Sequence, residues 1–399
     1  MKKILIFSHA LEIGGAERAL LGLLHSIDYK KYQVDLFLMR HQGELFKYIP
    51  KEVNVLPEIP EYTCLAVPIM DVIKKKKFNV AWGRLVSKVK AQKYVKDNDL
   101  NQDNIVGLEY SHKYTLFAMP KVSETEYDLA ISFLIPHYFV AERINAKKKI
   151  AWIHTDYSQL DMNVNSELEM WSSYDYIASI SEACTNGFCK KFPSLKSKIV
   201  QIDNIISPEL IKKQAEIMDV SDEMPNNCTI NILSVGRFCY AKNFDNVPEI
   251  CKRIVDQGIN VKWYLIGFGS DEPLIKEKIE EYKMQNYVII LGKKNNPYPY
   301  MKACDIYIQP SRYEGNCVSV HEAQVLGKPV IITKYATSKN QLNEGYDGMI
   351  VPMDNEGCAD AIIKILKDKE LINQIENNVY NSNYDNAEEI NKIYKILEL

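Results

Sequence analysis

Short apolar runs alternate with amphipathic stretches along most of this chain. In the first half they fall at residues 4–7, 34–38, 129–133, 150–153, 177–180 and 199–202. Runs this short, rich in Ile, Val, Leu and Phe, read as strands buried on both faces, and the helical patterns between them supply the crossovers. A second series follows residues 204–208, at 230–235, 262–266, 288–291, 306–309, 330–333 and 349–351. Strands separated by helices favour a parallel sheet with helices on both faces. A chain of 399 residues exceeds one comfortable core, so the pattern predicts two Rossmann-like halves. Open parallel sheets take ligands at the carboxyl ends of their strands, and both halves would aim functional loops into a shared cleft. The last stretch, residues 387–399, places Ile390, Ile393, Tyr394 and Leu397 on one helical stripe that either half could cover.

The loop after the run at 306–309 carries the most informative chemistry. It reads Pro310-Ser311-Arg312-Tyr313-Glu314-Gly315-Asn316-Cys317-Val318, and a helix then runs to Gly327-Lys328-Pro329. Gly327 is the expected end of that helix and Pro329 stops it. Glu314 lies in the loop; Glu322 lies one turn past Val318, on the stripe facing the protein, and a carboxylate there needs a partner. A lone Glu in this position can simply complement the helix dipole. Two placed carboxylates beside free helix amides suit a ligand with hydroxyls and a phosphate.

Other strand ends add groups of the same kind. After residues 230–235 comes Gly236-Arg237, with Lys242 five positions on; such cations either sit solvated at a helix start or neutralise a departing diphosphate. After residues 4–7, the adjacent Gly14 and Gly15 open a helix and would let backbone approach an anion. His154 follows the run at 150–153. Gly267-Phe268-Gly269 lacks the third glycine of a dinucleotide fingerprint and makes a poor NAD site.

The segment from Glu314 to Val330 closely resembles the signature of the retaining glycosyltransferases of family 4: Glu, seven residues, Glu, then Gly-Lys-Pro-Val. The Gly-Arg…Lys pair and the Gly-Gly-Ala-Glu-Arg of the first loop match the same family. The resemblance implies the GT-B fold, two Rossmann-like domains with parallel sheets facing a central cleft. It implies an acceptor-binding domain at residues 1–205, a donor-binding domain at 206–385, and a final helix, 386–399, packing back on the first. By the same resemblance, Glu314 contacts the donor sugar and Glu322 the nucleotide ribose. Arg237 and Lys242 hold the phosphates, with the amides around Asn316, Cys317 and Val318 taking the distal one. Gly14 and Gly15 lie under the donor phosphates or near the acceptor, and His154 bonds to the donor sugar. The implied activity moves a sugar, with a UDP-sugar as donor, to a glycan or lipid-linked glycan in cell-surface polysaccharide assembly, with no metal or other cofactor. Asn316-Cys317 departs from the family's usual aromatic and small residue or Pro, which leaves the donor sugar open.

Composition bounds this reading. A hydrophobic share of 46%, a charged share of 25% and a net charge of -3 describe an ordinary globular protein with no bias towards nucleic acid. Nine scattered cysteines without Cys-x-x-Cys or zinc spacing point to a reducing compartment, and cytosol is the simplest expectation. No run approaches the roughly 20 apolar residues of a spanning helix, so membrane contact would be peripheral, on the inner face. Residues 71–100 carry nine basic against three acidic side chains, with Trp82, Leu85, Val86 and Val89 at helical spacing. That stripe either packs on its own domain or rests on an anionic membrane surface; aromatic residues do not interleave with the charges as nucleic-acid binding would ask. Asp97-Asn98-Asp99 sits in the polar run 96–104 and reads as a solvated loop rather than a metal site. Two rivals stand beside it: a nucleotide-sugar epimerase or hydrolase of the same fold and, from another class, a non-catalytic nucleotide-sugar-binding partner subunit.

Overall fold

The computed structural model describes residues 1–101, 104–226 and 229–398. Residues 102 and 103 of the polar run, Asn227, Cys228 and Leu399 therefore lie outside the described residues. The chain divides into two compact units, Met1–Ile205 with Ala387–Leu399, and Ile206–Asn386.

The first unit is built on seven parallel strands: β1 (Lys2–Ser8), β2 (Tyr32–Leu38), β3 (Asn54–Val55), β4 (Tyr127–Ser132), β5 (Ala146–Ile153), β6 (Tyr176–Ser179) and β7 (Ile199–Gln201), in the order β3-β2-β1-β4-β5-β6-β7. Successive side chains of β1 go to opposite faces, as strand geometry requires. Ile4 and Ile6 join the core layer with Leu20, Leu24 and Trp152, whereas Leu5 and Phe7 join the other with Phe37, Phe139 and Trp171.

The second unit holds six parallel strands: β8 (Ile230–Val235), β9 (Val261–Ile266), β10 (Val288–Gly292), β11 (Ile306–Gln309), β12 (Val330–Thr333) and β13 (Gly348–Val351), in the order β10-β9-β8-β11-β12-β13. The same alternation sorts Trp263 and Leu265 to one layer and Tyr264 and Ile266 to the other. In each sheet the order reverses once, between β1 and β4 and between β8 and β11. Side connections diverge there, leaving room for a ligand at the carboxyl ends.

Every strand expected from the apolar runs is present, with ends shifted by up to four residues. The two-residue β3 is additional. Between β3 and β4 lies a helical insertion, with helices Ile69–Lys74, Phe78–Asp97 and Val106–Thr115, that contains the helix expected within residues 71–100. On Phe78–Asp97 the stripe does not pack inward: Phe78, Trp82, Leu85 and Val89 are 62%, 63%, 44% and 67% exposed, and Val86 is half-buried. Asp97 ends this helix, and Asn98 and Asp99 follow it, all exposed. No helix of the described residues is long and apolar enough to cross a membrane.

The final helix, Ile390–Glu398, belongs to the first unit. Ile390, Ile393, Ile396 and Leu397 are buried in the layer that holds Ile4 and Leu20. Tyr394 stacks on Tyr32 with ring centroids 4.5 Å apart, and its hydroxyl accepts from the Asp28 amide at 2.8 Å. The Nζ groups of Lys2 and Lys148 donate to the carbonyls of Leu397 and Ile396 at 2.6 and 2.7 Å. Cations at a helix C-terminus satisfy its orphan carbonyls and favour its dipole. Truncating Ile393, 1% exposed, to Ala should cost about 2–5 kcal/mol. Chemical denaturation of the full chain reads this in the transition of the first unit; an unchanged midpoint would refute the packing described.

Candidate active site

In the second unit, the loops after β8 and β11 emerge side by side because those strands are paired, Ile306 with Ile232 and Tyr307 with Leu233. The first loop tightens into a short turn at Tyr240–Lys242 and then passes through Asn243 at φ 60°. Asn tolerates this left-handed backbone better than most residues. Its side chain crosses to the other loop, Nδ2 donating to the Pro310 carbonyl at 2.9 Å. The aliphatic stem of Lys242 lies over Gly236, where a Cβ would meet its Cδ and Cε at 3.2 Å. Glycine thus leaves room for the lysine to turn back across the loop.

The lysine ends on Glu314. Its Nζ lies 2.6 Å from Glu314 Oε1, with the two side chains only 19% and 11% exposed. Burial alone would lower the Lys242 pKa, but the charge of Cys317, ionised in the alkaline range where a lysine titrates, and that of the Glu314 carboxylate outweigh it, and the value stands above that of an ordinary lysine. Glu314 is held from behind by a polar chain along the end of β11. Tyr307 Oη donates to Gln309 Oε1 at 2.7 Å, Gln309 Nε2 to Ser311 Oγ at 2.9 Å, and Ser311 Oγ to Glu314 Oε1 at 2.5 Å. Thr337 Oγ1 donates to the Glu314 carbonyl at 3.0 Å. A buried polar network satisfied in this way fixes one geometry.

Helix Val318–Val325 begins just beyond. Gln341, 5% exposed, braces its start. Gln341 Oε1 accepts from the Cys317 amide at 3.1 Å and from Tyr335 Oη at 2.8 Å, while Nε2 donates to the Cys317 carbonyl at 2.7 Å and to Asn316 Oδ1 at 3.3 Å. The Cys317 amide, expected to face a phosphate, is thus engaged by protein. Burial and then the Glu314 charge push the Cys317 thiol up to about 11, so it remains protonated, 3.8 Å from Lys242 Nζ. Val318 is buried behind it. Glu322, 3% exposed, accepts from Tyr298 Oη at 2.7 Å. Arg237 is exposed, and no hydrogen bond or ion pair holds its guanidinium among the described residues.

The structure therefore brings Lys242, Glu314 and Cys317 into contact, puts Asn316 and Val318 beside them in sequence, and leaves Arg237 reaching into solvent from the lysine's loop. The other three candidates belong to the first unit. Gly14 caps helix Gly15–Ser26, and Glu17 folds over it so closely that a Cβ would meet Glu17 Oε2 at 2.1 Å. His154 follows β5 and packs among aromatic rings, 4.6 Å from Phe133 and 6.1 Å from Trp152 between centroids. Its Nε2 donates to the Phe133 carbonyl at 2.9 Å, and Nδ1 is sealed from solvent. In this conformation the ring offers no nitrogen to a ligand. Gln341, Ser311, Arg312 and Asp245 are structural members of the site that sequence reading missed. Gln341, Arg312 and Asp245 bond to residues distant along the chain, which no local pattern announces, and Ser311 is unremarkable by type. Among the described residues no group of three or more His, Cys, Asp or Glu could hold a metal ion.

Residues 223–382 match the family model described as Glycosyl transferases group 1. The chain carries a group 1 glycosyl transferase domain. This domain contains Arg237, Lys242, Glu314 and Glu322. A stretch of 137 residues, 34% of this chain, is 29% identical to the poly(glycerol-phosphate) alpha-glucosyltransferase of Bacillus subtilis and covers 20% of it. Another of 263 residues, 60% of this chain, is 26% identical to an uncharacterized glycosyltransferase of Methanocaldococcus jannaschii and covers 72% of it. The chain spans less than half the length of several curated relatives it matches, 20%, 45% and 37% of three of them. Among solved structures, Anabaena HepE in complex with UDP and glucose superposes with a TM-score of 0.68 at 16% identity, over 100% of both chains. A Staphylococcus aureus TarM variant, solved with UDP, fondaparinux and alpha-GlcNAc-glycerol, gives 0.63 at 15% identity, over 100% of this chain and 98% of that one. At such identities the likeness gives the fold, which is GT-B.

Burial lowers His154 to a pKa of about 4. Burial, with neighbouring histidine charges adding to it, lowers His112 and His137 to about 3. A histidine held neutral in the fold contributes stability that is full above its unfolded pKa, near 6.5, and is lost as pH falls from there towards the folded value. The first unit should therefore lose stability between pH 6.5 and 4. In His137→Gln that loss should be smaller when full-chain melts are compared at both pH values; an equal loss would remove His137 from the acid transition.

Proposed function

We propose that this chain is a retaining glycosyltransferase that moves a sugar from a UDP-sugar to a hydroxyl of a glycan or lipid-linked glycan, without a metal or other cofactor, in the assembly of cell-surface polysaccharide. The observation that carries this reading is the contact of Lys242 with Glu314. It pairs a fixed cation and a fixed carboxylate at the carboxyl ends of two adjacent strands, within the group 1 domain. A sugar diphosphate presents complementary groups: hydroxyls for Glu314 and phosphate oxygens for Lys242. Arg237 adds a second cation from the same loop, and Glu322, deeper in the unit, takes the ribose.

As the bond from anomeric carbon to phosphate breaks, negative charge grows on the diphosphate. Lys242, Arg237 and the start of helix Val318–Val325 are positioned to meet it, and preorganised charge acts without reorganisation at that moment. Glu314 orients the sugar. The acceptor hydroxyl attacks from the side the diphosphate leaves, and its proton passes to a phosphate oxygen, which retains the anomeric configuration. The first unit binds the acceptor.

A panel of nucleotide sugars, incubated with and without lipid extract, tests the reading. Acceptor-dependent release of UDP supports it, whereas an epimerised donor or acceptor-independent hydrolysis overturns it. Arg237→Ala and Lys242→Ala should each lower turnover by about 100- to 1,000-fold. Lys242→Ala also strands Glu314, whereas the exposed Arg237 can be removed without that penalty, so Arg237→Ala is the cleaner probe. Near-normal turnover in it would defeat the phosphate assignment. EDTA should leave the wild-type rate unchanged; a loss that Mg²⁺ restores would show a metal requirement.

For the membrane we propose peripheral binding, on the inner face of the cell membrane, through helix Phe78–Asp97. Phe78, Trp82, Leu85 and Val89 form an exposed stripe about 16 Å long, with Lys88, Lys90 and Lys93 exposed beside it. Each lysine near an anionic surface contributes about 1 kcal/mol. Trp82→Glu with Val89→Glu should abolish flotation with vesicles containing phosphatidylglycerol. Unchanged flotation would dismiss this face.

A further inference from the structure

Arg312 lies two residues before Glu314, yet its side chain serves the neighbouring loop, the one that carries Lys242. Its guanidinium grips Asp245 in a fork, Nη1 to Oδ1 at 3.0 Å and Nη2 to Oδ2 at 2.7 Å, and Nη1 also donates to the Tyr240 carbonyl at 2.6 Å. The Arg312 backbone amide donates to the Ala241 carbonyl at 2.8 Å. The Tyr240 ring covers the group, 4.2 Å from the guanidinium carbon. The two charged side chains are 22% and 15% exposed. A planar fork on a carboxylate adds geometric specificity that a single-point ammonium contact lacks.

The placement has a mechanical consequence. Without a ligand, the Lys242–Glu314 contact itself ties the two loops together. A phosphate that draws Lys242 away weakens that tie just when the spacing of lysine and glutamate must hold. The Arg312–Asp245 fork involves neither group. We propose that Arg312 and Asp245 are positioning residues: a clasp that keeps the loops after β8 and β11 in register, so that Lys242 and Glu314 hold their places around the donor. The role in turnover rests on the transferase reading; the coupling of the loops does not.

Two measurements on the full chain test the clasp, using wild type, Arg312→Gln, Asp245→Asn and the double variant. In the first, hydrogen exchange is followed in residues 236–246 and 310–316. Either single substitution should speed exchange in both loops, leaving the amides of β8 and β11 protected. Exchange that rises only in the substituted loop overturns the clasp, whether or not the protein turns over a nucleotide sugar. In the second, initial rates are measured with the donor and acceptor that wild type uses. Each single variant should lower kcat by between about 10- and 100-fold, with acceptor KM unchanged and the double variant no worse than the poorer single. Arg312→Lys should not restore the rate, since an ammonium cannot make the fork. Effects that multiply in the double variant, a full rescue by lysine, or an unchanged kcat would each overturn the positioning role. Failure of the wild type to release UDP from any donor would instead count against the proposed function.

Discussion

The pairing of β8 with β11 is the constraint on which the candidate site depends. These strands lie some seventy residues apart in the chain, and the reversal of strand order at this point sets their carboxyl ends side by side. Only there can a lysine after one strand reach a glutamate after the other. The contact itself is a poor source of stability, since taking two charges out of water offsets most of their attraction. Its value lies in position. The chain Tyr307, Gln309, Ser311 holds Glu314 from behind, Gly236 leaves space for the lysine stem, and Asn243 and Arg312 bind loop to loop. Most of the polar groups around the pair therefore fix geometry.

Much of the fold was legible because buried parallel strands must be apolar on both faces. The runs at 4–7 and 230–235 carry that requirement in a few residues, and both became strands. The pair Asn54–Val55 is too short to show any period, and it was missed. In the insertion between β3 and β4, the helix was legible but the direction of its stripe was not. The stripe of Trp82, Leu85 and Val89 has the spacing of a core-facing helix, so periodicity alone could not tell an inward face from an exposed one. The last helix posed the reverse problem: its stripe announced burial but not the surface. Tyr32, Asp28 and the lysines at positions 2 and 148 decide it, by contacts spanning up to 395 residues of chain.

The site divides along the same line. Lys242, Glu314 and Glu322 stood out because charged residues at strand ends and on a core-facing stripe are anomalies that need partners. Gln341, Asp245 and Ser311 are unremarkable by type and became visible only through the atoms they touch. His154 shows the limit of placement at a strand end. That position is where working residues gather, but the ring packs against Phe133, with Trp152 beyond it, and its Nε2 bonds to a backbone carbonyl. To meet a sugar, the ring would have to rotate and give up that bond.

The charge balance around Lys242 and Glu314 bears on how an anion would enter the site. Lys242 and Glu314 neutralise one another. Cys317, though within 3.8 Å of the lysine, keeps its proton until pH is near 11 and so adds no charge at neutrality. Arg237 remains as an exposed cation with no side-chain partner among the described residues. On the proposed function, an approaching diphosphate would meet Arg237 first, and would need no broken contact to do so. Reaching Lys242 is different, because Glu314 must then exchange its ammonium partner for sugar hydroxyls. A nucleotide without its sugar offers no such hydroxyls, and leaves the carboxylate poorly compensated in a site where it is only 11% exposed. On the proposed function, the ion pair would thereby favour the intact nucleotide sugar over the bare nucleotide, which is the order of affinity a transferase needs to release its product.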